Sequence, residues 1–292
     1  MENKEKCPIC LVDKITTKFS VKDFMLTNET FSIDCCNSCH FHFTNPTPNE
    51  YELYKYYKSD EYISHSVTKK NIVYRIYHIV RKMTLKRKVC LIQKLTNDKN
   101  ILDYGAGTGH FLNECKKKAF NVCGIEPDEE AKKFALNNFN LELSSPNDIF
   151  NFSNESFDVI TMWHVLEHVY SLDKTIVELI RILKENGIWI VAVPNMNSFD
   201  AQYYQNFWAA YDVPRHLYHF QQKDMINIAK KHGLHLIKTL PMKWDSYYVS
   251  LLSEKYRKGN KLNAFKIGFL SNWKAKKSKE YSSLIYVFKK EK

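Results

Sequence analysis

The sequence predicts an α/β protein: a doubly wound, seven-stranded, mainly parallel sheet behind a small four-cysteine unit. Three observations carry this. From Asn100 onward short apolar runs alternate with helical stretches, the pattern of parallel strands joined by crossover helices. The first run leads into a glycine-rich turn, Ile101-Leu102-Asp103-Tyr104-Gly105-Ala106-Gly107-Thr108-Gly109. Five of the eight cysteines lie before residue 40, four of them as two C-x-x-C pairs.

With 292 residues, 44% of them hydrophobic and 26% charged, the chain has room for one large or two modest domains and is not a disordered composition. The start, Met1 to Cys10, is charged and lacks an apolar run, so no signal peptide is expected. No stretch approaches the ~18 apolar residues of a membrane span. The expected compartment is a reducing cytoplasm. A net charge of +11 fits either a polyanion partner or lysines spread over solvated faces. The lysines are dispersed, apart from runs at 86–88, 116–118 and 274–277, so the second reading is favoured and a nucleic-acid partner is not expected.

Residues 1–45 form the cysteine unit. Cys7 and Cys10, then Cys36 and Cys39, are two knuckles with 25 residues between them. Two knuckles complete a four-thiolate tetrahedral site, so a structural zinc ion is expected. A unit this small buries too little surface to fold without a staple. Residues 15–33 alternate as short strands. Cys35 is a spare thiol, and His40 and His42 are surplus to a complete shell.

Residues 46–97 read as a Pro-containing linker and helices. Tyr51, Tyr54, Tyr57 and Tyr62 make an aromatic stripe suited to packing. Residues 69–96 are helical, with Ile72, Ile76, Ile79 and Met83 on one face and Leu85, Val89 and Ile92 on another. Its basic flanks permit a peripheral membrane contact; covering the first strand of the next domain is the plainer expectation.

Residues 98–292 form the sheet domain. Strands are expected at 100–103, 121–126, near 141–143, and at 157–163, 188–193, 234–240 and 283–289. Helices are expected at 111–119, 128–138, 173–184 (with Gly187 as C-cap) and 223–231. Residues 253–281, rich in Lys, Ser and Asn, read as a basic surface insertion with a partner role open.

The chemistry concentrates at strand ends. The glycine spacing is G-x-G-x-G, and His110 stands where a dinucleotide loop wants its third glycine. Asp103, two residues before the first glycine, would repel a pyrophosphate and suits a ligand bearing an ammonium group. Glu126, 23 positions after Asp103, ends the second strand, where an acid accepts ribose hydroxyls. Asp148 and Ile149 follow the third strand; Asp148 also suits a turn or helix cap. The fourth strand runs into His164-Val165-Leu166-Glu167-His168. Glu167 and His168 suit a dyad in which the acid orients the imidazole. A metallopeptidase has H-E-x-x-H on a helix; here the order is reversed at a strand end, so no metal is expected there. The loop after strand five is long and aromatic, with Trp208, Tyr211, Arg215 and His216. It suits an acceptor wall, with Arg215 a phosphate ligand, or local packing.

Taken together, these residues resemble the class I S-adenosylmethionine (AdoMet) methyltransferases, whose first motif is hhDhGxGxG. The resemblance covers 98–241, and 1–45 resembles the zinc-binding domain found in front of some of them. It implies a Rossmann-like fold. Asp103, Gly105, Gly107, Gly109, Glu126, Asp148 and Ile149 are implied to hold the cofactor, Asp148 at the adenine amino group. His164, Glu167 and His168 are implied to be catalytic, because related deoxysugar C-methyltransferases use a Glu-His pair as base. Tyr62, Trp208, Tyr211, Arg215 and His216 would meet the acceptor, with Tyr57 or Tyr62 closing over the cofactor. The implied reaction is methyl transfer to an O, C or N atom of a small molecule: a sugar, an envelope-polysaccharide precursor or another secondary metabolite, nucleotide- or lipid-linked. Alternatives are a quinone or lipid O-methyltransferase, or a nucleic-acid-binding or RNA-methylating protein. The absence of an N-P-P-[YF] motif after strand four speaks against base methylation.

Overall fold

The computed structural model describes residues 1–57 and 72–291, with the backbone alone for 72–80. The N-terminal unit is a sheet of three consecutive strands, β1 (Ile15–Lys22), β2 (Thr30–Cys36) and β3 (His42–Asn45), all antiparallel. Val21, Phe31 and Ile33 are buried on one face of it and Phe43 on the other. The hairpin between β1 and β2 is closed by Asp23, whose carboxylate accepts from the backbone N–H groups of Met25, Leu26 and Thr27. This replaces the turn's missing ladder bonds.

After the short helix α1 (Glu50–Leu53), capped by Asn49, comes α2 (Ile72–Leu95). Its face of Val89 and Ile92 packs with Ile101, Phe111, Leu112 and Cys115, so this end of the helix covers the first strand of the main sheet, as expected. That sheet has the order β5-β4-β6-β7-β10-β9. Its strands are β4 (Asn100–Tyr104), β5 (Asn121–Ile125), β6 (Phe157–Trp163), β7 (Leu183–Pro194), β9 (Leu234–Pro241) and β10 (Ser283–Lys290). The first four run parallel, and β10 is antiparallel to both β7 and β9. Between the strands lie the helices α3 (His110–Lys116), α4 (Glu129–Phe139), α5 (Leu172–Ile182), α6 (Phe199–Tyr204) and α7 (Gln222–Lys231). The central strands are buried on both faces and read as near-continuous apolar runs, as parallel strands do.

Two expectations are corrected. Among the described residues the sheet has six strands, not seven: the segment at 141–143 forms no ladder, and Ser144 makes a single parallel bridge to Ile125. Only two alternating apolar residues, Leu141 and Leu143, were available to hold an edge strand. Gly187 is not a helix C-cap; α5 (Leu172–Ile182) passes directly into β7, and Gly187 lies inside that strand at an irregular register against β6. Residues 253–281, expected as a basic surface insertion, are largely helical: α8 (Asp245–Tyr256) and α9 (Lys261–Ser278) form a pair. The outward stripe of α9, Leu262, Phe265, Phe269 and Trp273, is exposed.

The N-terminal sheet takes in a strand from beyond residue 45. The loop after β7 contains β8 (Tyr218–His219), which pairs antiparallel with β3 and completes a four-stranded sheet. One core joins Cys7, Cys36, Phe41 and Phe43 to Leu217, Tyr218 and Phe220. Among the described residues no helix is long and apolar enough to cross a membrane.

Candidate functional site

At the carboxyl end of β4 the strand order reverses, with β5 on one side and β6 on the other. Open α/β sheets bind ligands in this crevice. The backbone turns there through Gly105 (φ +80°) and Gly107 (φ +52°), a conformation L side chains resist. A Cβ on Gly105 would lie 2.3 Å from Val165, whereas one on Gly107 would meet nothing within 4 Å. Gly105 therefore lets the loop lie against the segment after β6, and Gly107 faces open space. Gly109 caps the helix α3 (His110–Lys116).

Asp103 is buried beneath this turn and accepts a 2.6 Å bond from Thr161 on β6. Burial pushes its carboxyl up to about 7, partly offset by Thr161 and by the Lys88 ammonium. Lys88 reaches in from α2, its Nζ 4.1 Å from the centre of the Trp163 ring. Burial lowers it to about 8 against the pull of Asp103 and Asp245. Glu126 receives N–H bonds from Gly107 (2.7 Å) and Asp128 (3.0 Å), and burial raises its carboxyl. It thus braces the glycine turn from the end of β5. Asp148 is a cap: it closes a capping box with Ser145 at the start of a 3-10 turn, while Ile149 is buried.

The segment after β6 departs from the expected dyad. Glu167 is fully buried, and its Oε1 pairs with His164 Nδ1 at 3.3 Å, not with His168. His164 Nε2 pairs with Asp245 Oδ2 at 3.0 Å. Burial opposes charge on His164, but the two carboxylates outweigh it and raise the imidazole to about 10. His164 is thus a protonated clamp between the segment and α8. His168 is the opposite case. Burial and the neighbouring His216 push it down to about 4. Its Nδ1 donates to the Arg215 carbonyl at 3.0 Å and lies 3.0 Å from the Tyr57 hydroxyl. His216 sits edge-on to it, ring centres 4.5 Å apart, and donates from Nδ1 to the Ala210 carbonyl.

The aromatic loop is interior. Trp208 donates to Asp200, and Tyr211 packs against Trp208, both buried among Val21, Phe31 and Ile33 of the N-terminal sheet. Arg215 is 1% exposed and bonds Asp212, Asp23 and the Tyr56 carbonyl. The phosphate role gives way to a buried tie between two parts of the chain. Tyr62 lies outside the described residues. The sequence reading missed Lys88 and Asp245: nothing distinguishes Lys88 from its neighbours in a basic run, and Asp245 lies 81 residues beyond its partner.

The four knuckle cysteines converge. Sγ atoms of Cys7 and Cys39, and of Cys10 and Cys36, lie 3.5 Å apart, and all four fall within 4.8 Å. Zn–S bonds of about 2.3 Å place tetrahedral thiolates roughly 3.8 Å apart, so this donor set fits zinc.

Known proteins resemble this chain in sequence and in fold. A ubiquinone biosynthesis O-methyltransferase of Rickettsia canadensis is 30% identical over 148 residues, 46% of this chain and 61% of that protein. An uncharacterized protein of Methanocaldococcus jannaschii is 35% identical over 109 residues, 36% and 41% of the two chains. The chain thus spans less than two thirds of these relatives. Magnesium protoporphyrin IX methyltransferase from Synechocystis, solved with S-adenosylhomocysteine, superposes with a TM-score of 0.56 at 12% identity over 83% of this chain and 100% of that one. A SAM-dependent methyltransferase from Archaeoglobus fulgidus gives 0.51 at 17% identity over 75% and 100%; both likenesses concern the fold. Residues 77–239 match the model of the methyltransferase domain family, more than half of the chain, and the protein belongs to that family.

Proposed function

We propose that the protein transfers the methyl group of AdoMet to an O, C or N atom of a small-molecule acceptor: a sugar, an envelope-polysaccharide precursor or another secondary metabolite. The carrying observation is the arrangement at the switch point. Asp103 lies buried under a left-handed glycine turn whose open side is Gly107, and Glu126 stands at the next strand end. That set suits a ligand with an ammonium group and a ribose and no phosphates. AdoMet, when bound, supplies an electrophilic methyl on a sulfonium.

The chain's own residues do the rest. Asp103 holds the ammonium, with Lys88 its competitor in the free protein. Glu126 turns from the N–H groups of Gly107 and Asp128 toward the ribose. Asp148 and Ile149 are assigned to the adenine side, Asp148 giving up its cap bonds only in part. On the acceptor side His164 stays charged and fixes Glu167. His168 stays neutral, with its proton on Nδ1 held by the Arg215 carbonyl, and offers Nε2 to a proton of the acceptor. Proximity and orientation supply most of the acceleration. The four-cysteine cluster holds a structural zinc.

A second reading, an O-methyltransferase of a quinone or other lipid-linked acceptor, is favoured by the relatives' name. Calorimetric titration with AdoMet tests the shared part: no binding at about 1 mM ends both readings. Transfer assays with nucleotide-sugar and polyprenyl-phenol acceptors then separate them.

A further inference from the structure

Glu167 Oε2 is buried and has no hydrogen-bond partner among the described residues, although Oε1 is held by His164. A lone carboxylate oxygen in an apolar interior is costly unless a cation or a proton meets it. Two imidazoles stand beside it. One donor atom each of Glu167, His168 and His216 lies within 4.8 Å of the others. Both rings donate from Nδ1 to backbone carbonyls, those of Arg215 and Ala210. A carbonyl only accepts, so Nδ1 is the donor in each ring and Nε2 is the nitrogen left for a ligand; the Tyr57 hydroxyl lies 3.0 Å from His168 Nδ1, and His216 Nε2 lies 4.0 Å from Asp212 Oδ2. Metal-ligating histidines are held in this way, one nitrogen on the ion and the other donating to a carbonyl or carboxylate.

We propose that Glu167, His168 and His216 bind a divalent transition-metal cation at a site separate from the four cysteines. Two imidazole nitrogens and one carboxylate oxygen suit Mn²⁺, Fe²⁺, Co²⁺ or Zn²⁺ better than Mg²⁺ or Ca²⁺, which take oxygen ligands. Bonds of about 2.0–2.2 Å put ligand atoms roughly 3–4 Å apart, so a small side-chain rotation closes the group on an ion. The spacing of His164, Glu167 and His168 does not announce the site, because its third ligand comes 48 residues after His168. The backbone delivers it: Leu217 N–H donates to the Glu167 carbonyl at 2.8 Å, and Thr44 on β3 bonds the His216 carbonyl at 2.7 Å. The consequence for catalysis rests on the methyl-transfer reading. A cation here would bind an acceptor hydroxyl and lower its pKa, so that the proton passes to solvent water while His168 serves as a ligand.

The test uses the full chain with zinc on its cysteines and no AdoMet. Samples are dialysed against Mn²⁺ and, separately, against Zn²⁺, and the bound metals are counted by mass spectrometry. The expected result is one equivalent beyond the cysteine-bound zinc. Glu167→Gln and His216→Ala should each weaken it by about tenfold or more, with cysteine zinc and far-ultraviolet circular dichroism unchanged. Glu167→Gln keeps the side chain's shape, so it serves if His216→Ala fails to fold. No extra equivalent with either ion, or equal retention in Glu167→Gln, overturns the site. Either outcome leaves the AdoMet titration to judge methyl transfer by itself.

Discussion

Arg215 Nη2 stands 2.8 Å from Asp23 Oδ1, and both side chains are sealed from solvent. Asp23 belongs to the β1–β2 hairpin and Arg215 to the loop after β7, 192 residues apart. Removing one partner of a buried ion pair strands the other charge, which costs about 3–5 kcal/mol. Arg215→Met leaves both Asp23 and Asp212 uncompensated, so urea unfolding of the zinc-loaded chain should lose about that much. A loss under about 1 kcal/mol, the scale of an exposed pair, would show that the contact does not hold the two parts together.

Asp103 and Lys88 make cofactor binding pH-dependent. An ammonium ligand needs Asp103 ionised, and burial has moved that ionisation up to about 7. AdoMet affinity should therefore rise between pH 6 and 7.5, then fall above about 8 as the ligand's own α-amino group deprotonates. The stability effect has the opposite sign. The folded state holds the Asp103 proton above the unfolded pKa, so this group's contribution declines as pH rises from about 4 to about 7. Lys88→Met removes an opposing charge and should shift the affinity rise to higher pH. A flat affinity profile from pH 6 to 7.5 would exclude Asp103 as the ammonium partner.

His164 and His168, four residues apart, should titrate in opposite directions. Imidazole resonances followed by NMR should show His164 still protonated at pH 8, because Asp245 and Glu167 hold its proton. His168 should remain neutral at pH 5.5, because burial and His216 disfavour its charge. In assays His168→Ala should keep AdoMet binding and slow transfer by about 10²–10⁴. If transfer is unaffected, the base role for His168 does not survive.

Gly105→Ala should weaken AdoMet binding at least about tenfold. The added methyl would strike Val165 at 2.3 Å, and the residue would still sit at φ +80°. The double variant Gly105→Ala/Val165→Ala separates these causes: it relieves the clash and leaves the backbone strain. Full rescue in the double variant would assign the glycine to packing alone.

Cys36→Ser should lose zinc and destabilise β2 and β3, whereas Cys35→Ser should keep zinc, because the Cys35 thiol lies outside the four-thiolate group. Zinc content of the purified variants decides this. Less than about half an equivalent in the unaltered protein would remove the structural-zinc assignment, since a closed site of this kind fills stoichiometrically.

Much of this was legible in the chain. The glycine turn, Asp103, Glu126 and the cysteine knuckles are local patterns: each depends on residues a few positions apart and on a strand–turn–helix or a knuckle that short segments form by themselves. Six of seven strands followed from apolar runs, the central ones buried on both faces and β9, at the sheet edge, only partly buried. The third expected strand failed because two apolar residues cannot outweigh the loop geometry around them. Gly187 misled because a glycine after a helical pattern marks a helix end and a strand irregularity equally well.

The sequence alone determined the nucleoside-type crevice and the four-thiolate cluster, because their partners are fixed by backbone geometry over short spans. Only the tertiary structure decided what the remaining polar residues do. It paired Glu167 with His164, brought Asp245 and Lys88 to the site, and turned Arg215 inward to Asp23. It also seated His216 beside His168 by joining β8 to the N-terminal sheet. Charges separated by tens or hundreds of residues find partners only when packing brings them together. Burial then decides which of them keep their protons, and no local spacing encodes that.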